Sequence, residues 1–181
     1  MNDDLERARS GWRNRGHKRP PFAHTPGKGE ESVWDYPRPP VIVDDHREVV
    51  VMSGDQEIAR SCRAVRVLET ASPPTFYLPP DDVNEEFLIP ASGQSFCEWK
   101  GSASYFDVRT QEMTVPAAAW TYREPFPEFA TIAGWYAFYP GKVACFVAGD
   151  RVRAQAGGFY GGWITREIVG PFKGEHGTGG W

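Results

Sequence analysis

The residues with the widest chemical range stand together in residues 95–105, which read Ser-Phe-Cys-Glu-Trp-Lys-Gly-Ser-Ala-Ser-Tyr. The Lys100-Gly101 pair suits a tight turn, and the alternating flanks predict two antiparallel strands of a hairpin. Opposed side chains on such strands lie about 4.5 to 5.5 Å apart, so groups on the two flanks can act together. Within this hairpin Cys97 offers a thiolate nucleophile. Lys100 offers an anion-binding ammonium or, if desolvated, a base or Schiff-base amine.

Both residues also have a structural interpretation. A free cysteine such as Cys97 is often buried simply as a small apolar group. None of the four histidines lies near it in the sequence to serve as its base. Lys100 at a hairpin tip is equally typical of a solvated turn residue. The sequence leaves both interpretations open.

Other segments supply polar and aromatic partners for the hairpin. Glu69 follows an apolar run, and we expect it to pair with Arg66 or Lys100 rather than to act as a general base. Arg66 and Glu69 are then the polar anchors of a ligand pocket. Tyr105 and Trp120 are its walls, because aromatic rings recognise planar or cationic molecules by stacking. An aromatic-rich core is the alternative, since seven Trp and eleven Phe also suit packing.

Length, charge and cysteine spacing narrow the class of protein. A chain of 181 residues, 40% of them apolar, can bury a domain core. The net charge of −4 argues against a protein that coats nucleic acid or anionic membrane. No stretch approaches the roughly 18 apolar residues of a membrane span, and no secretion signal is visible. Because Cys62, Cys97 and Cys145 stand far apart, a reducing compartment fits best, and we expect a cytoplasmic protein without membrane or nucleic-acid partners.

Three regions differ in composition. Residues 1–32 carry seven basic and five acidic residues with few apolar ones, which predicts a mobile basic tail. Residues 33–152 predict a single compact, mainly β domain of antiparallel hairpins with one to three short helices. Residues 153–181 are rich in Gly and aromatic residues, and we expect them to pack on the domain as an extension.

Three local predictions bear on the topology. Residues 47–59 predict a hairpin around a Ser-Gly-Asp turn. Residues 61–70 mix apolar spacings behind a helix N-cap candidate, Ser61, and favour a short helix over an irregular strand. Residues 135–139 and 143–147 flank a Pro-Gly-Lys turn and predict a second hairpin.

Short motifs follow one another in a fixed order along the middle of the chain. They are Arg66-Val67-Leu68-Glu69-Thr70, Pro73-Pro74, Phe76-Tyr77, Pro79, Asp82-Val83, Cys97, Lys100-Gly101, Ala103, Tyr105, Ala119-Trp120, Tyr122, Ile132-Ala133-Gly134 and Ala137-Phe138-Tyr139. Their order and spacing resemble the bacterial and fungal family called domain of unknown function 427. The resemblance covers residues 33–152, and the Gly/aromatic end is similar to the extension of a longer subgroup.

This resemblance implies a β-tent-like domain, an architecture shared with methionine-R-sulfoxide reductases and the thalidomide-binding domain. Many proteins of that fold hold zinc through two C-x-x-C knuckles. This chain has neither, so we expect no metal and no cofactor. The family is sometimes filed under a nucleotidyltransferase heading. Here Gly101-Ser102 is followed only by Asp107, with no D-x-D nearby to hold Mg²⁺, so the residues give that heading little support.

These points predict a small-molecule-binding module whose pocket lies at the 95–105 hairpin, with Cys97 and Lys100 at its mouth. Two alternatives stay open: a thiol- or lysine-dependent enzyme that uses the same pocket, and a structural or protein-interaction module. The sequence does not specify the ligand, the pathway or the oligomeric state.

Overall fold

A computed structural model describes residues 2–181, and strands make up most of its regular structure. The elements are α1 (Asn2–Ser10), β1 (Glu31–Ser32), β2 (Val41–Asp45), β3 (Val49–Ser53), β4 (Gln56–Ser61), β5 (Ala64–Glu69), β6 (Ser72–Tyr77), β7 (Leu88–Cys97), β8 (Gly101–Arg109), β9 (Thr114–Thr121), β10 (Tyr136–Phe138), β11 (Ala144–Val147), β12 (Asp150–Arg151), β13 (Arg153–Ala154), β14 (Trp163–Ile164) and β15 (Ile168–Val169). Short 3-10 helices cover Val33–Asp35, Pro80–Asp82, Glu85–Phe87 and Pro127–Ile132. Within residues 2–181, no helix has the length and apolar character needed to cross a membrane.

Three antiparallel sheets form the body, with strand orders β10-β9-β8-β7, β12-β11-β3-β4 and β2-β5-β6. The pairs β1–β15 and β13–β14 attach the terminal segments, and β1–β15 is parallel. The prediction of a mainly β fold with antiparallel sheets and a few short helices is confirmed. The predicted hairpin of residues 47–59 is also present, as β3 and β4.

The sheet β2-β5-β6 separates two cores, because successive residues of a strand point to opposite faces. Phe76 of β6 packs in the first core, where its ring stacks on Trp163 with centroids 4.8 Å apart. Tyr77, the next residue, packs in the second core beside Trp120. The second core borders the candidate site.

The prediction of a short helix over residues 61–70 is wrong, since this segment forms β5, the central strand of its sheet. It pairs with β2 on one side and β6 on the other. A central strand covered on both faces carries apolar residues at mixed spacings, so periodicity alone could not identify it. The β-branched pair Val65 and Val67 was the better guide.

The hairpin predicted for residues 135–147 is also wrong. β10 pairs with β9, whereas β11 pairs with β3 in a different sheet. The Pro-Gly-Lys turn does form, because the backbone N–H groups of Lys142 and Val143 both donate to Tyr139 O. The turn passes the chain from one sheet to the other instead of closing a hairpin.

Both terminal segments lie against the body. Val33 and Trp34 are fully buried, and the Trp34 indole donates to Pro171 O at 3.0 Å. Phe22 stacks on Trp181 with ring centroids 5.1 Å apart. The sequence did not predict α1, which lies within the segment expected to be a mobile tail.

Candidate ligand-binding site

A cavity of about 240 Å³ lies beside the 95–105 hairpin. Five of the six predicted site residues line it: Glu69, Cys97, Lys100, Tyr105 and Trp120. They come from β5, β7, the β7–β8 turn, β8 and β9, so the folded sheets gather side chains that are up to 51 positions apart in the sequence. Arg66 is the exception and lies elsewhere.

The hairpin places Cys97 and Lys100 side by side. Cys97, the last residue of β7, is paired with Gly101, the first residue of β8, and a three-residue turn joins them. Gly101 has a φ of 94°, a conformation that favours glycine, which explains the Lys-Gly pair in the sequence. Lys100 O accepts a hydrogen bond from Phe126 N, which attaches the turn to the following loop.

Lys100 is a buried ammonium. It is only 9% exposed, and its Nζ lies 5.8 Å from the ring centroids of both Tyr122 and Phe129. Burial disfavours its charge, but interactions with Cys97, Tyr77 and Glu69 outweigh burial and raise the pKa of Lys100. An ammonium with a raised pKa can hold an anion.

Glu69 is held by an arginine that sequence reasoning missed. Arg38 Nε lies 3.1 Å from Glu69 Oε1, and the Arg38 side chain is completely buried. Arg38 also donates to backbone carbonyls of the body and both termini, namely Thr70, Asn14 and Trp181. It stands between two prolines, in a segment that gave no signal of a site. We infer that Arg38 neutralises Glu69 and leaves Lys100 without a dedicated carboxylate partner.

Nine aromatic residues from positions 2 to 181 contribute to the remaining wall. Trp120 lies 4.4 Å from Tyr139, centroid to centroid, and Tyr105 shares a 2.7 Å hydrogen bond with Ser95. Tyr77 is fully buried, and burial, only partly offset by Lys100, raises its pKa to about 12. Tyr77 is therefore neutral at physiological pH and supplies a ring face and a hydroxyl rather than charge.

Arg66 lies on the opposite face of β5 from Glu69. Residues an odd number of positions apart on a strand point to opposite sides, and these two are three positions apart. Arg66 NH1 contacts Glu31 at 3.1 Å, and its Nε lies 3.2 Å from Asp45 without a directed hydrogen bond. The structure thus places Arg66 in an ion-pair network rather than at the cavity.

Carboxylates suited to a metal do not gather here. Across residues 2–181, no group of three His, Cys, Asp or Glu side chains is arranged to hold a metal ion. Asp107, the carboxylate after Gly101-Ser102, accepts a hydrogen bond from Ala117 N, and Asp82 pairs with Arg63.

The family model described as Domain of unknown function (DUF427) matches residues 41–149, more than half of the chain. The chain belongs to this family. No curated protein matches it significantly.

The five cavity residues named above all fall inside the DUF427 region, but the cavity is completed from outside it. Trp12 contributes from the amino-terminal segment, and Phe159, Tyr160 and Lys173 from the carboxy-terminal one. Lys173 Nζ lies 3.8 Å from the centroid of the Trp12 ring, so the two terminal segments meet at the cavity. Burial is the main reason that the pKa of Lys173 is lowered.

One glycine of the carboxy-terminal segment is required by the fit. A Cβ on Gly161 would lie 2.1 Å from Cη2 of Trp120, far inside contact distance. The absence of a side chain lets this segment lie directly on the Trp120 wall of the DUF427 domain. The Gly-rich composition is therefore part of how the cavity is closed.

Proposed function

We propose that this DUF427 protein is a small-molecule-binding module, and that its ligand is a planar monoanion bound in the hairpin cavity. The proposal rests on the burial of Lys100, which is only 9% exposed and lines a cavity with many aromatic rings. Within residues 2–181, no ion pair of 4.0 Å or less joins Lys100 or Lys173 to a carboxylate. A buried charge without such a partner is costly, and a ligand anion would offset that cost.

The charges around the cavity support a single negative charge on the ligand. Two cations, Lys100 and Lys173, and two carboxylates, Glu69 and Glu98, line the cavity, and a third cation, Arg38, pairs with Glu69 from behind the wall. One positive charge remains in excess. Aromatic faces from Trp120 and Tyr139 favour a flat ligand.

The size of the cavity supports a ligand of one or two rings. An apolar cavity of about 150 Å³ accommodates benzene, and this one is about 240 Å³. Several tyrosine hydroxyls, with Ser72, Ser95 and Gln155, provide hydrogen-bond partners for polar atoms on the ring system. We place this binding activity in the cytoplasm, because the three separated cysteines suit a reducing compartment.

The test compares two ligands of the same shape but different charge. We expect 2-naphthoate to bind at least about tenfold more tightly than the neutral 2-naphthamide, as a charge-assisted contact provides. The Lys100→Met variant should lose that preference while keeping its fold. Lys28→Met, which removes the same charge from an exposed position, is the matched control. Isothermal titration calorimetry provides the dissociation constants, and equal binding of both ligands by the unmodified protein would refute the proposal.

Cys97 favours one second candidate, a thiol-dependent enzyme using the same cavity. Among the groups that raise the pKa of Lys100, the Cys97 sulfur has the largest effect. The thiol and the ammonium are therefore direct neighbours. In such an enzyme the Cys97 thiol would lose its proton to water and attack the carbonyl carbon of an ester, while Lys100 would stabilise the developing oxyanion. Collapse of that intermediate would break the ester C–O bond and release the alcohol, and water would then hydrolyse the thioester to the acid and free Cys97. A Cys97→Ser variant separates the two candidates, because a binding module keeps its affinity for 2-naphthoate and an enzyme loses turnover of an activated naphthoate ester.

A further inference from the structure

The first part of the chain lies at the rim of the cavity. We call residues 2–16 the strap; they comprise α1 and the turn that follows it. The strap lies outside the DUF427 region, and it contributes Trp12 to the cavity lining.

Two strap residues attach to the tip of the central hairpin. Arg9 Nε donates to Glu98 O at 2.7 Å, and its guanidinium lies over the rings of Trp99 and Phe126 at 5.3 and 5.1 Å. The Trp12 indole donates to Glu98 Oε1 at 2.8 Å. Both hydrogen bonds therefore end on the residue next to Cys97.

The Trp12 ring is also held by two cations. Arg38 lies 4.2 Å from its centroid and Lys173 lies 3.8 Å from it. Arg38 additionally donates to Asn14 O, two residues further along the strap. Trp12 is thus the point where the strap, the domain and the carboxy-terminal segment meet over the cavity.

Two further contacts hold the strap: Arg9 forms an ion pair with Glu128 at 3.8 Å, and Gly16 packs closely against the backbone of Tyr36. No residue from 3 to 16 is buried, and a nine-residue helix such as α1 is marginal by itself. In contrast, Val33 and Trp34 are fully buried. Local opening concentrates where few apolar groups are buried, so the strap can lift while residues 33 and 34 remain anchored.

We propose that the strap is a latch over the cavity, fastened by Trp12 and Arg9 on Glu98, and that its opening by local unfolding speeds the entry and exit of a ligand. The role of the cavity rests on the function proposed above. Opening itself can be measured without any ligand, because Cys97 lines the cavity. Cys97 is partly exposed with the strap in place, so opening is detected as an increase over a finite starting rate of modification.

The experiment measures the alkylation rate of Cys97 by iodoacetamide in the full chain, with adducts assigned by mass spectrometry. Cys62 is exposed and is replaced by Ser in every variant. Cys145 is buried in the other core and reports global unfolding. Arg9 does not line the cavity, so Arg9→Ala leaves the cavity wall intact and removes the strap's contacts with Glu98, Trp99 and Phe126.

We expect Arg9→Ala to speed Cys97 alkylation about tenfold, corresponding to about 1.4 kcal/mol of lost latch stability. Trp12→Ala should speed it at least as much. Arg7→Ala is the matched control, because the Arg7 side chain is 82% exposed and contacts only Asp4, within the strap. Cys145 should stay unmodified throughout.

Two outcomes would overturn the latch. One is equal Cys97 rates in the Arg9→Ala and Arg7→Ala variants. The other is a rise in Cys97 rate accompanied by Cys145 modification, which would indicate global unfolding. A failure of 2-naphthoate to bind would refute the proposed ligand instead and would leave these rates as they are.

Discussion

Two groups of charged residues in this protein are partly buried, and they are neutralised differently. The first, which we call the arginine network, consists of Glu31, Asp45, Arg47, Arg66 and Glu167. Arg47 bridges Asp45 at 2.6 Å and Glu167 at 2.5 Å, and Arg66 contacts Glu31 and Asp45. The second group is at the cavity, where Lys100 and Lys173 have no such partner among residues 2–181.

We propose that the difference separates charges that stabilise the fold from charges that bind a ligand. The arginine network joins β2 and β5 to Glu31 of β1 and to Glu167, the residue before β15, so it fastens both terminal segments to the body. Its charges are satisfied within the chain and need nothing from solution. At the cavity, Lys100 and Lys173 have no ion pair of 4.0 Å or less with a carboxylate among residues 2–181, and this is the charge that the proposed ligand would offset. Substitutions that remove charge from the two groups should therefore change the free energy of unfolding by different amounts.

The largest expected effect comes from breaking the arginine network at its centre. Asp45 has a side chain 5% exposed and faces two guanidinium groups. Asp45→Asn removes the shared charge and leaves Arg47 and Arg66 poorly compensated, so we expect the free energy of unfolding to fall by about 3 kcal/mol. Urea denaturation measures it.

Asp44→Asn is the control for this substitution, since Asp44 is the adjacent residue and its side chain is exposed. It should change the free energy of unfolding by less than about 0.5 kcal/mol. Equal effects of the two substitutions would show that the network does not stabilise the fold.

A smaller effect is expected from acid. Burial opposes the charge on Asp45 and Glu167, but hydrogen bonds from Arg47 outweigh it and lower the pKa of each below its ordinary value of 3.8 or 4.5. A depressed folded-state pKa contributes stability that is complete above the unfolded value and lost as pH falls through the folded one. The urea midpoint should therefore be steady above about pH 5 and drop below it.

The Asp45→Asn variant shows how much of this pH dependence comes from Asp45. It lacks one of the two titrating carboxylates, so its midpoint should fall less steeply with pH than that of the unmodified protein. Asp82, whose pKa is lowered by Arg63, contributes equally to both curves. Parallel curves would mean that Asp45 does not carry the acid sensitivity.

The sequence predicted the central part of the cavity, since residues 95–105 form a hairpin by local rules. Turn chemistry and alternation over a few residues place Cys97 beside Lys100 without reference to the rest of the fold. The sequence alone did not show that Arg66 lies on the opposite face of β5 from Glu69. This assignment depends on residues 61–70 being a strand, whereas a helix was predicted there. With the strand known, the odd spacing of the two residues decides the matter.

The residues that complete the cavity had no local signal. Arg38, Trp12 and Lys173 reach it from segments far away in the sequence, and their positions depend on how the two termini pack. The hairpin predicted over residues 135–147 failed for the same reason. A turn motif specifies the bend, but the partner of each strand is decided by the sheets available to it.

The smallest expected effect on stability comes from removing the positive charge at the cavity. Lys100→Met leaves no carboxylate without its partner, since Glu69 remains paired with Arg38, and it replaces a buried ammonium by an apolar chain of similar length. We expect the free energy of unfolding to stay within about 1 kcal/mol of the original value or to rise, because buried ions often cost more than apolar replacements.

Arg66→Met is the matched substitution in the arginine network. It removes a cation that contacts both Glu31 and Asp45, and it should lower the free energy of unfolding by about 3 kcal/mol. If Lys100→Met proved as destabilising as Arg66→Met in urea, Lys100 would belong with the structural charges, and its availability to a ligand anion would no longer follow from its burial.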